Sequence, residues 1–188
     1  MENRKIVAIL GLPGSGKTEA INYLIKKLNW LKVYFGDVTF DEMKSRGIEI
    51  NEENEREVRE GLRAQFGQLI YAQRVIKKIE SLPDDKNVLV ESLYSWPEYS
   101  EFKKKFGKDF ITIAVYASPK IRYERLGKRP VRPLTPEECL SRDYAQIENL
   151  FQGGPIAIAD YTVINEGSKK DLYEQVDRII NDLDNSSL

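Results

Sequence analysis

Residues 9–20, ILGLPGSGKTEA, constrain the fold of this chain more than any other segment. Within them, Gly11, Gly16, Lys17 and Thr18 meet the spacing G-x-x-x-x-G-K-T, which binds phosphate when a strand precedes it and a helix follows it. An apolar run precedes Gly11, and helical periodicity follows Lys17. The sequence therefore predicts a loop that holds phosphate with its backbone N–H groups at the start of a helix.

The residues of this loop have separate expected roles. Gly14 and Gly16 allow the backbone to approach a phosphate without a clash from a Cβ atom. Lys17 is expected to contact the β- and γ-phosphates of ATP, and the Thr18 hydroxyl to bind Mg²⁺, so ATP and Mg²⁺ are the predicted cofactors. The predicted nucleotide-binding loop comprises Gly11, Pro13, Gly14, Ser15, Gly16, Lys17 and Thr18.

Five short runs rich in valine and isoleucine alternate with helical patterns along the chain. The runs cover residues 5–10, 31–35, 87–92, 110–117 and 161–165. This alternation predicts an α/β fold, in which helices cover both faces of a doubly wound, parallel, five-stranded sheet.

The helical patterns give approximate boundaries. The first helix is predicted over about 17–28 and the last over about 169–183. Asn51 is a predicted N-cap, and the apolar stripe after it predicts one long helix that reaches Ile79. Two further helices are predicted to begin after Ser118 and at a Thr135–Glu138 capping box; the second of these should end near the glycines and proline of residues 152–155.

Composition excludes several classes of site. The chain has 188 residues, no histidine and one cysteine, Cys139. Imidazole catalysis and most zinc sites are therefore excluded, and a general base must be a carboxylate. Lys and Arg number 29 against 30 Asp and Glu, and no apolar run is long enough to span a bilayer, so neither a nucleic-acid nor a membrane partner is indicated. The length predicts one domain over residues 1–188, and the single cysteine predicts a small core side chain in a cytoplasmic protein.

Two carboxylates follow predicted strands at the edge where ligands bind in doubly wound sheets. Asp37 comes after the second run, and Glu91 closes the third. Each is a candidate Mg²⁺ ligand, or a base that takes a proton from an acceptor hydroxyl. Both are predicted acceptor-binding residues, and the alternative for each is a loop acid that caps a helix.

Basic residues are concentrated in residues 120–132, KIRYERLGKRPVR. Arg122, Arg125 and Arg129 recur at helical spacing and are predicted to share one helix face. Phosphoryl transfer requires cations and a cover that excludes water, so residues 120–150 are a predicted lid, with Arg125 and Arg129 over the nucleotide and Arg142 beside them. The alternative is a solvated helix face.

Arg63 lies in the segment between the second and third runs. An arginine there can bind an acceptor phosphate with two hydrogen bonds, or it can pair with Glu57 or Glu60 on the helix surface.

The chain resembles a known group of proteins over nearly its whole length. The segments that carry the resemblance are GLPGSGKT at 11–18, GDV at 36–38, LRAQFG at 62–67, ASPKIRYERL at 117–126, SRD at 141–143 and ADYTVINEG at 159–167. They follow one another as in adenylate-kinase-related, dephospho-CoA-kinase-like P-loop proteins, a largely archaeal group. The resemblance implies a nucleoside-phosphate kinase fold with strand order 2-3-1-4-5, a helical lid after the fourth strand, and Asn165 and Gly167 beside the adenine.

The chain departs from this group at three places. One is the lid, which often reads Arg-Ser-Asp-Asp in the relatives and reads RPVR at residues 129–132 here. The relatives usually carry Asp-Gly-x-Arg after the third strand, where this chain has Glu91, Ser92, Leu93 and Tyr94. Their Arg-Asp-x-Arg-Glu segment becomes residues 142–146, RDYAQ, so two arginines of the group are absent.

Three functions follow from these residues. The first is a phosphotransferase that moves the γ-phosphate of ATP to a small nucleotide-like acceptor such as a nucleoside monophosphate; its predicted catalytic residues are Lys17, Asp37, Arg129 and Arg142. The second is a dephospho-CoA kinase, in which Asp37 is the base for a ribose hydroxyl. The third is a non-catalytic protein that changes shape when it binds ATP. A nucleic-acid partner rests on the basic run alone and is not favoured, and both a monomer and a homodimer remain open.

Overall fold

The computed structural model describes residues 4–130 and 133–185, so Val131 and Arg132 of the predicted lid lie outside the described residues. Within these ranges, five parallel strands form one sheet in the order β2-β3-β1-β4-β5, as predicted. The strands are β1 (Ile6–Leu10), β2 (Leu31–Tyr34), β3 (Val88–Glu91), β4 (Phe110–Tyr116) and β5 (Tyr161–Ile164).

Helices connect the strands and follow the last one. They are α1 (Lys17–Lys27), α2 (Asp37–Arg46), α3 (Glu52–Phe66), α4 (Ile70–Glu80), α5 (Trp96–Phe106), α6 (Pro119–Gly127), α7 (Pro136–Glu148), α8 (Gly153–Ala157) and α9 (Lys169–Asn185), with a 3₁₀ turn at Gly107–Asp109 before β4. No helix in the described ranges has the length and apolar composition needed to cross a bilayer.

The central strand β1 is buried on both faces of the sheet. Its residues Val7 and Ile9 pack in a core with α1 and α9. Ile6, Ala8 and Leu10 point to the other face and pack in a core with α2, α3, α4 and α5. A strand covered on both faces carries a continuous apolar run rather than an alternating pattern, and this explains the sequence of β1.

The prediction of one long helix after Asn51 is wrong, because two helices, α3 and α4, occupy this segment. Gly67 has φ +88°, ends α3 and separates it from α4. Val58 of α3 and Val75 of α4 nevertheless reach the same core, so the apolar stripe continues across the break.

Helices α2 and α5 were not predicted. Ser95 and Glu98 form a reciprocal capping box at the start of α5, as Thr135 and Glu138 do at α7. Ser118 occupies the N-cap position of α6, but its side chain makes no capping hydrogen bond. The predicted helix from Thr135 stops earlier than expected, because α7 ends at Glu148 and the short helix α8 follows it.

The outer strand β5 is bound at its free edge by a side chain of α9. Gln175 Oε1 accepts a hydrogen bond from Ile164 N at 3.0 Å, and Gln175 Nε2 donates to Ile164 O at 2.9 Å. This side-chain amide occupies the backbone donor and acceptor of Ile164 at the edge of the sheet.

Candidate nucleotide-binding site

The phosphate-binding loop lies between β1 and α1 and approaches its neighbours closely. Gly14 has φ +78° and Gly16 has φ +105°, conformations that L side chains rarely adopt. A Cβ atom on Gly16 would lie 2.1 Å from Asn165 Nδ2, and one on Gly14 would lie 2.7 Å from Arg122 O. Both glycines are therefore required by the packing of the loop as well as by its backbone conformation.

Side chains from distant parts of the chain hold the carbonyl groups of this loop. Asn165 Nδ2 donates to Ser15 O at 2.7 Å, Gln152 Nε2 donates to Gly11 O at 3.1 Å, and Arg122 Nη1 donates to Pro13 O at 3.1 Å. Neutral and charged donors on the loop carbonyls fix its conformation before any ligand binds. No role was predicted for Gln152, and nothing in its local sequence points to this contact.

Lys17 is the first residue of α1, and its ammonium group folds over the loop. Its Nζ donates to Gly11 O at 2.7 Å and to Leu12 O at 3.1 Å. Burial lowers the Lys17 pKa from 10.5 to about 8; Glu91 opposes this shift, and Arg129 adds to it. An anion beside Lys17 would favour the protonated form.

Thr18 and Glu91 meet at the carboxyl end of β3. Thr18 Oγ1 donates to Glu91 Oε1 at 3.4 Å, and Lys32 Nζ lies 2.5 Å from Glu91 Oε2. A hydroxyl and a carboxylate oxygen are the ligand types that Mg²⁺ prefers, so this pair fits the predicted metal. No cluster of three or more Cys, Asp or Glu side chains suited to a metal occurs in residues 4–130 or 133–185. A Mg²⁺ ion at Thr18 and Glu91 would therefore take its remaining ligands from nucleotide and water.

A cavity of about 380 Å³, here called the phosphate cavity, opens beside the loop. Its lining comprises Pro13, Gly14, Gly16, Lys17, Thr18, Glu91, Ser92, Tyr94, Arg125, Arg129, Arg142 and Gln146. Among the residues that the structure describes, four basic side chains and one carboxylate line this space, so its potential favours an anion. Arg125 Nη1 reaches Gly14 O at 3.5 Å, whereas Arg129 follows the end of α6 and Arg142 lies on α7.

Arg122 does not share the cavity with Arg125 and Arg129, contrary to the prediction of a common face. Its guanidinium is buried and binds the Asp143 carboxylate, with Nη1–Oδ1 at 2.8 Å and Nη2–Oδ2 at 2.5 Å. Tyr123 donates a further hydrogen bond to Asp143 Oδ2 at 2.9 Å. Arg122 is therefore part of the support of the loop, because a third contact of its guanidinium is Pro13 O.

Two predicted acceptor residues lie outside the lining of the phosphate cavity. Asp37 begins α2, and its Oδ2 is 3.0 Å from Lys78 Nζ. Arg63 on α3 lies over the Tyr71 ring at 4.9 Å, and its Nη2 is 3.9 Å from Glu98 Oε1. Arg63 thus pairs with Glu98 rather than with Glu57 or Glu60.

Residues after β3 contribute to the cavity in a way that was not predicted. Ser92 has φ +68°, a left-handed conformation that is strained for a residue with a Cβ atom. The Tyr94 hydroxyl donates to Ser92 Oγ at 2.8 Å, and burial is the main cause that raises the Tyr94 pKa. Gln146 also lines the cavity, and its buried Oε1 has no hydrogen-bond partner within the described residues.

The two residues that the resemblance placed beside the adenine lie between β5 and α9. Asn165 is buried against the loop, whereas Gly167 is exposed. Cys139 on α7 is buried, as predicted for the single cysteine of the sequence.

Comparisons of structure identify the fold. A gluconokinase from Sinorhizobium meliloti superposes with a TM-score of 0.61 and 13% identity over 100% of both chains. A shikimate kinase from Bacteroides thetaiotaomicron has a TM-score of 0.59 and 13% identity, covering 96% of this chain and 98% of its own. The chain therefore has the fold of P-loop kinases.

Comparisons of sequence identify the family. Residues 7–145 match the model of a family described as an AAA domain. A UPF0200 protein of Methanocaldococcus jannaschii is 36% identical over 184 residues, which are 96% of this chain and 91% of the relative. A UPF0200 protein of Hyperthermus butylicus is 34% identical over 183 residues, which are 96% of each chain. The chain thus carries an AAA domain and belongs to the UPF0200 family.

Proposed function

We propose that this protein is a Mg²⁺-dependent phosphotransferase, which moves the γ-phosphate of ATP to a small nucleotide-like acceptor such as a nucleoside monophosphate. The observation that carries the proposal is the convergence of Lys17, the Thr18–Glu91 pair and Arg125, Arg129 and Arg142 on one cavity. A binding loop alone needs no arginines from the 120–150 segment, whereas phosphoryl transfer needs cations around the transferring group.

In this proposal the donor half of the site is formed by the loop. The backbone N–H groups and Lys17 bind the phosphates of ATP, and Thr18 and Glu91 hold Mg²⁺. ATP supplies the phosphoryl group, and Mg²⁺ would neutralise part of the negative charge on its phosphates. Asn165 and Gly167, between β5 and α9, take the adenine side.

The arginines act in this proposal on the charge that develops during transfer. Arg125 contacts Gly14 O. Arg129, which follows α6, and Arg142, on α7, line the same cavity. Closure of that segment over the nucleotide would exclude water and bring both guanidinium groups to the phosphoryl group. The segment is accordingly assigned as the lid of a single kinase-like domain.

In this proposal the acceptor binds beyond Glu91, near Asp37 of α2 and Arg63 of α3. Asp37 and Arg63 lie beyond the lining of the phosphate cavity, and each is already paired, with Lys78 and with Glu98 respectively. An acceptor phosphate would exchange the long Arg63–Glu98 contact for a bidentate one. With a ribose hydroxyl as acceptor, Asp37 would act as base, which is the reaction of a dephospho-CoA kinase.

The test is transfer of label from γ-labelled ATP to AMP, CMP, UMP, dTMP and dephospho-CoA, with and without Mg²⁺. Labelled product that requires Mg²⁺ and is lost in Lys17→Ala supports the proposal and names the acceptor. Lys27→Ala, a change of an exposed lysine on the same helix, is the matched control and should retain activity.

A different outcome would favour the non-catalytic alternative. The phosphotransferase proposal fails if ATP binds to the wild type but no acceptor takes the label, and if Arg129→Ala and Arg142→Ala change neither ATP affinity nor the rate of ATP hydrolysis. The chain would then be an ATP-dependent binding protein.

A further inference from the structure

A second cavity lies behind the phosphate-binding loop and is separate from the phosphate cavity. Its volume is about 370 Å³, and Leu12, Tyr116, Tyr123, Tyr144 and Ile147 are among the side chains that line it. This space, here called the rear cavity, shares no lining residue with the phosphate cavity within residues 4–130 and 133–185. The loop divides its residues between the two, because Gly11, Leu12 and Ser15 line the rear cavity.

The walls of the rear cavity are largely apolar, and Tyr116, Tyr123 and Tyr144 contribute aromatic rings to them. Leu140, Tyr144 and Ile147 follow one another at helical spacing on α7 and remain 47%, 55% and 45% exposed. Tyr116 at the end of β4 is 47% exposed on the opposite wall. Large side chains that stay half exposed around a concave space are typical of a ligand-binding pocket.

Among the described residues, the charged side chains that line the rear cavity are paired. They are Arg122 and Asp143, which bind each other through two short hydrogen bonds. Arg122 Nε also donates to Ala117 O and its Nη1 to Pro13 O, and Tyr123 donates to Asp143. A charged ligand would lose its hydration here without gaining a partner, so the cavity selects neutral molecules.

One polar group in the lining lacks a partner. Ser15 is 1% exposed, and its Oγ has no hydrogen-bond partner within the described residues. A buried hydroxyl without a partner is rare in folded proteins because its desolvation is uncompensated. A ligand group that pairs with this hydroxyl would recover that cost.

We propose that the rear cavity is a second binding site, which takes a small neutral ring compound whose single hydrogen-bonding group pairs with Ser15 Oγ. Its volume of about 370 Å³ is more than twice the roughly 150 Å³ of an apolar cavity that binds benzene. A bicyclic ligand therefore fits the space, with its rings against Tyr116, Tyr123 and Tyr144. The site is distinct from the nucleotide site and is independent of the proposed phosphotransfer.

Indole and 1-methylindole form a matched pair of probes for this proposal. Both are neutral bicyclic molecules, but only indole has an N–H group that can donate to Ser15 Oγ. In two-dimensional ¹⁵N–¹H NMR titrations, indole is expected to shift the amide signals of Leu12, Ser15 and Ala117 with a dissociation constant of about 1 mM or lower. 1-Methylindole should bind about fivefold more weakly, because it cannot make the hydrogen bond.

Two variants locate the binding site. Ile147→Trp places a larger side chain at the rim and should abolish the shifts, whereas Ile50→Trp enlarges an exposed isoleucine outside the cavity and should leave them unchanged. Ser15→Ala should remove the difference between the two probes. If Ser15→Ala fails to fold, the proposal is still tested by the comparison of the two probes on the wild type and by the Ile147→Trp result.

Competition with ATP separates the two cavities. Indole binding should persist at saturating ATP, because the cavities have no lining residue in common. The proposal is overturned if ATP displaces indole, if Ile147→Trp binds indole as well as the wild type does, or if the cavity residues show no shifts because a second copy of the chain covers them.

Discussion

Arg122 and Asp143 form a buried bidentate ion pair that joins α6 to α7 and also supports the phosphate-binding loop. The Arg122 side chain is 3% exposed and that of Asp143 is 9% exposed. The same guanidinium donates to the carbonyl groups of Ala117 and Pro13. A contact between two helices of the predicted lid segment therefore helps to fix the shape of the loop.

Asp143→Asn is expected to lower the free energy of unfolding by about 3 kcal/mol, because it leaves the Arg122 charge buried without a counterion. Urea unfolding measures this value, and ATP affinity should fall with it, because Pro13 loses a fixed neighbour. The double variant Arg122→Met/Asp143→Leu should be more stable than Asp143→Asn. Asp177→Asn, at the more exposed pair with Lys27, is the control and should cost no more than about 1 kcal/mol. Equal effects at the two sites would contradict the prediction.

Ser92 is expected to reverse the usual order of alanine and glycine substitutions. Ser92→Gly and Ser92→Ala both remove the hydrogen bond to Tyr94, but only glycine relieves the φ of +68°. Ser92→Gly should therefore be more stable than Ser92→Ala by about 1 kcal/mol in urea unfolding. At Ser141, an exposed residue within α7, alanine should be more stable than glycine by a similar amount. The same order at both positions would argue against strain at Ser92.

The pKa of Lys17 sets the pH dependence of ATP binding. Since this pKa is about 8 and phosphates favour the protonated ammonium, ATP affinity should be constant below pH 8 and fall about tenfold per pH unit above it. Calorimetry at pH 8 in buffers of different ionisation enthalpy should show proton uptake on binding. Lys17→Arg keeps its charge throughout this range, so its affinity should not fall.

The same shift affects the stability of the protein without ligand. Between about pH 8 and 10.5, the ordinary pKa of a lysine, the unfolded chain holds a proton on Lys17 that the folded chain has lost. The contribution of Lys17 to the free energy of unfolding therefore rises with pH in this window. A fall in that window in the wild type relative to Lys17→Met would contradict the low pKa.

Arg142 should act on turnover more than on ATP binding. Arg142→Ala is expected to lower kcat by about 10²–10³-fold, because a transition-state cation is lost, with ATP affinity changed less than threefold. Arg46→Ala on α2, which removes a surface pair with Glu42, is the control and should leave kcat unchanged. A large rise in KM with normal kcat would assign Arg142 to ground-state binding instead.

The sheet and its core could be predicted because each strand carries its own apolar run. The break at Gly67 could not, because the apolar stripe crosses it and a single glycine is tolerated within a helical pattern. Helix α5 has a local signal, the serine and glutamate three residues apart at Ser95 and Glu98, which form a capping box.

The position of the loop could be predicted from local spacing, whereas the side chains that hold it depend on tertiary contacts. The partners Asn165 and Ser15 are separated by 150 positions and Gln152 and Gly11 by 141, and no sequence pattern reports such a pairing. The side-chain direction of Arg122 likewise depends on Asp143 in another helix. Periodicity places an arginine on a helix face but does not reveal which neighbour neutralises it.

The Gln175 side chain at Ile164 has a consequence for how copies of this protein meet. An exposed outer strand is a template onto which another chain can add its own strand, and repeated addition leads to aggregates. Here an added strand would first have to displace the Gln175 side-chain amide, which already binds the backbone N–H and C=O of Ile164. Gln175 thus blocks extension of the sheet at this position. Its removal would lower the solubility of the protein rather than its activity.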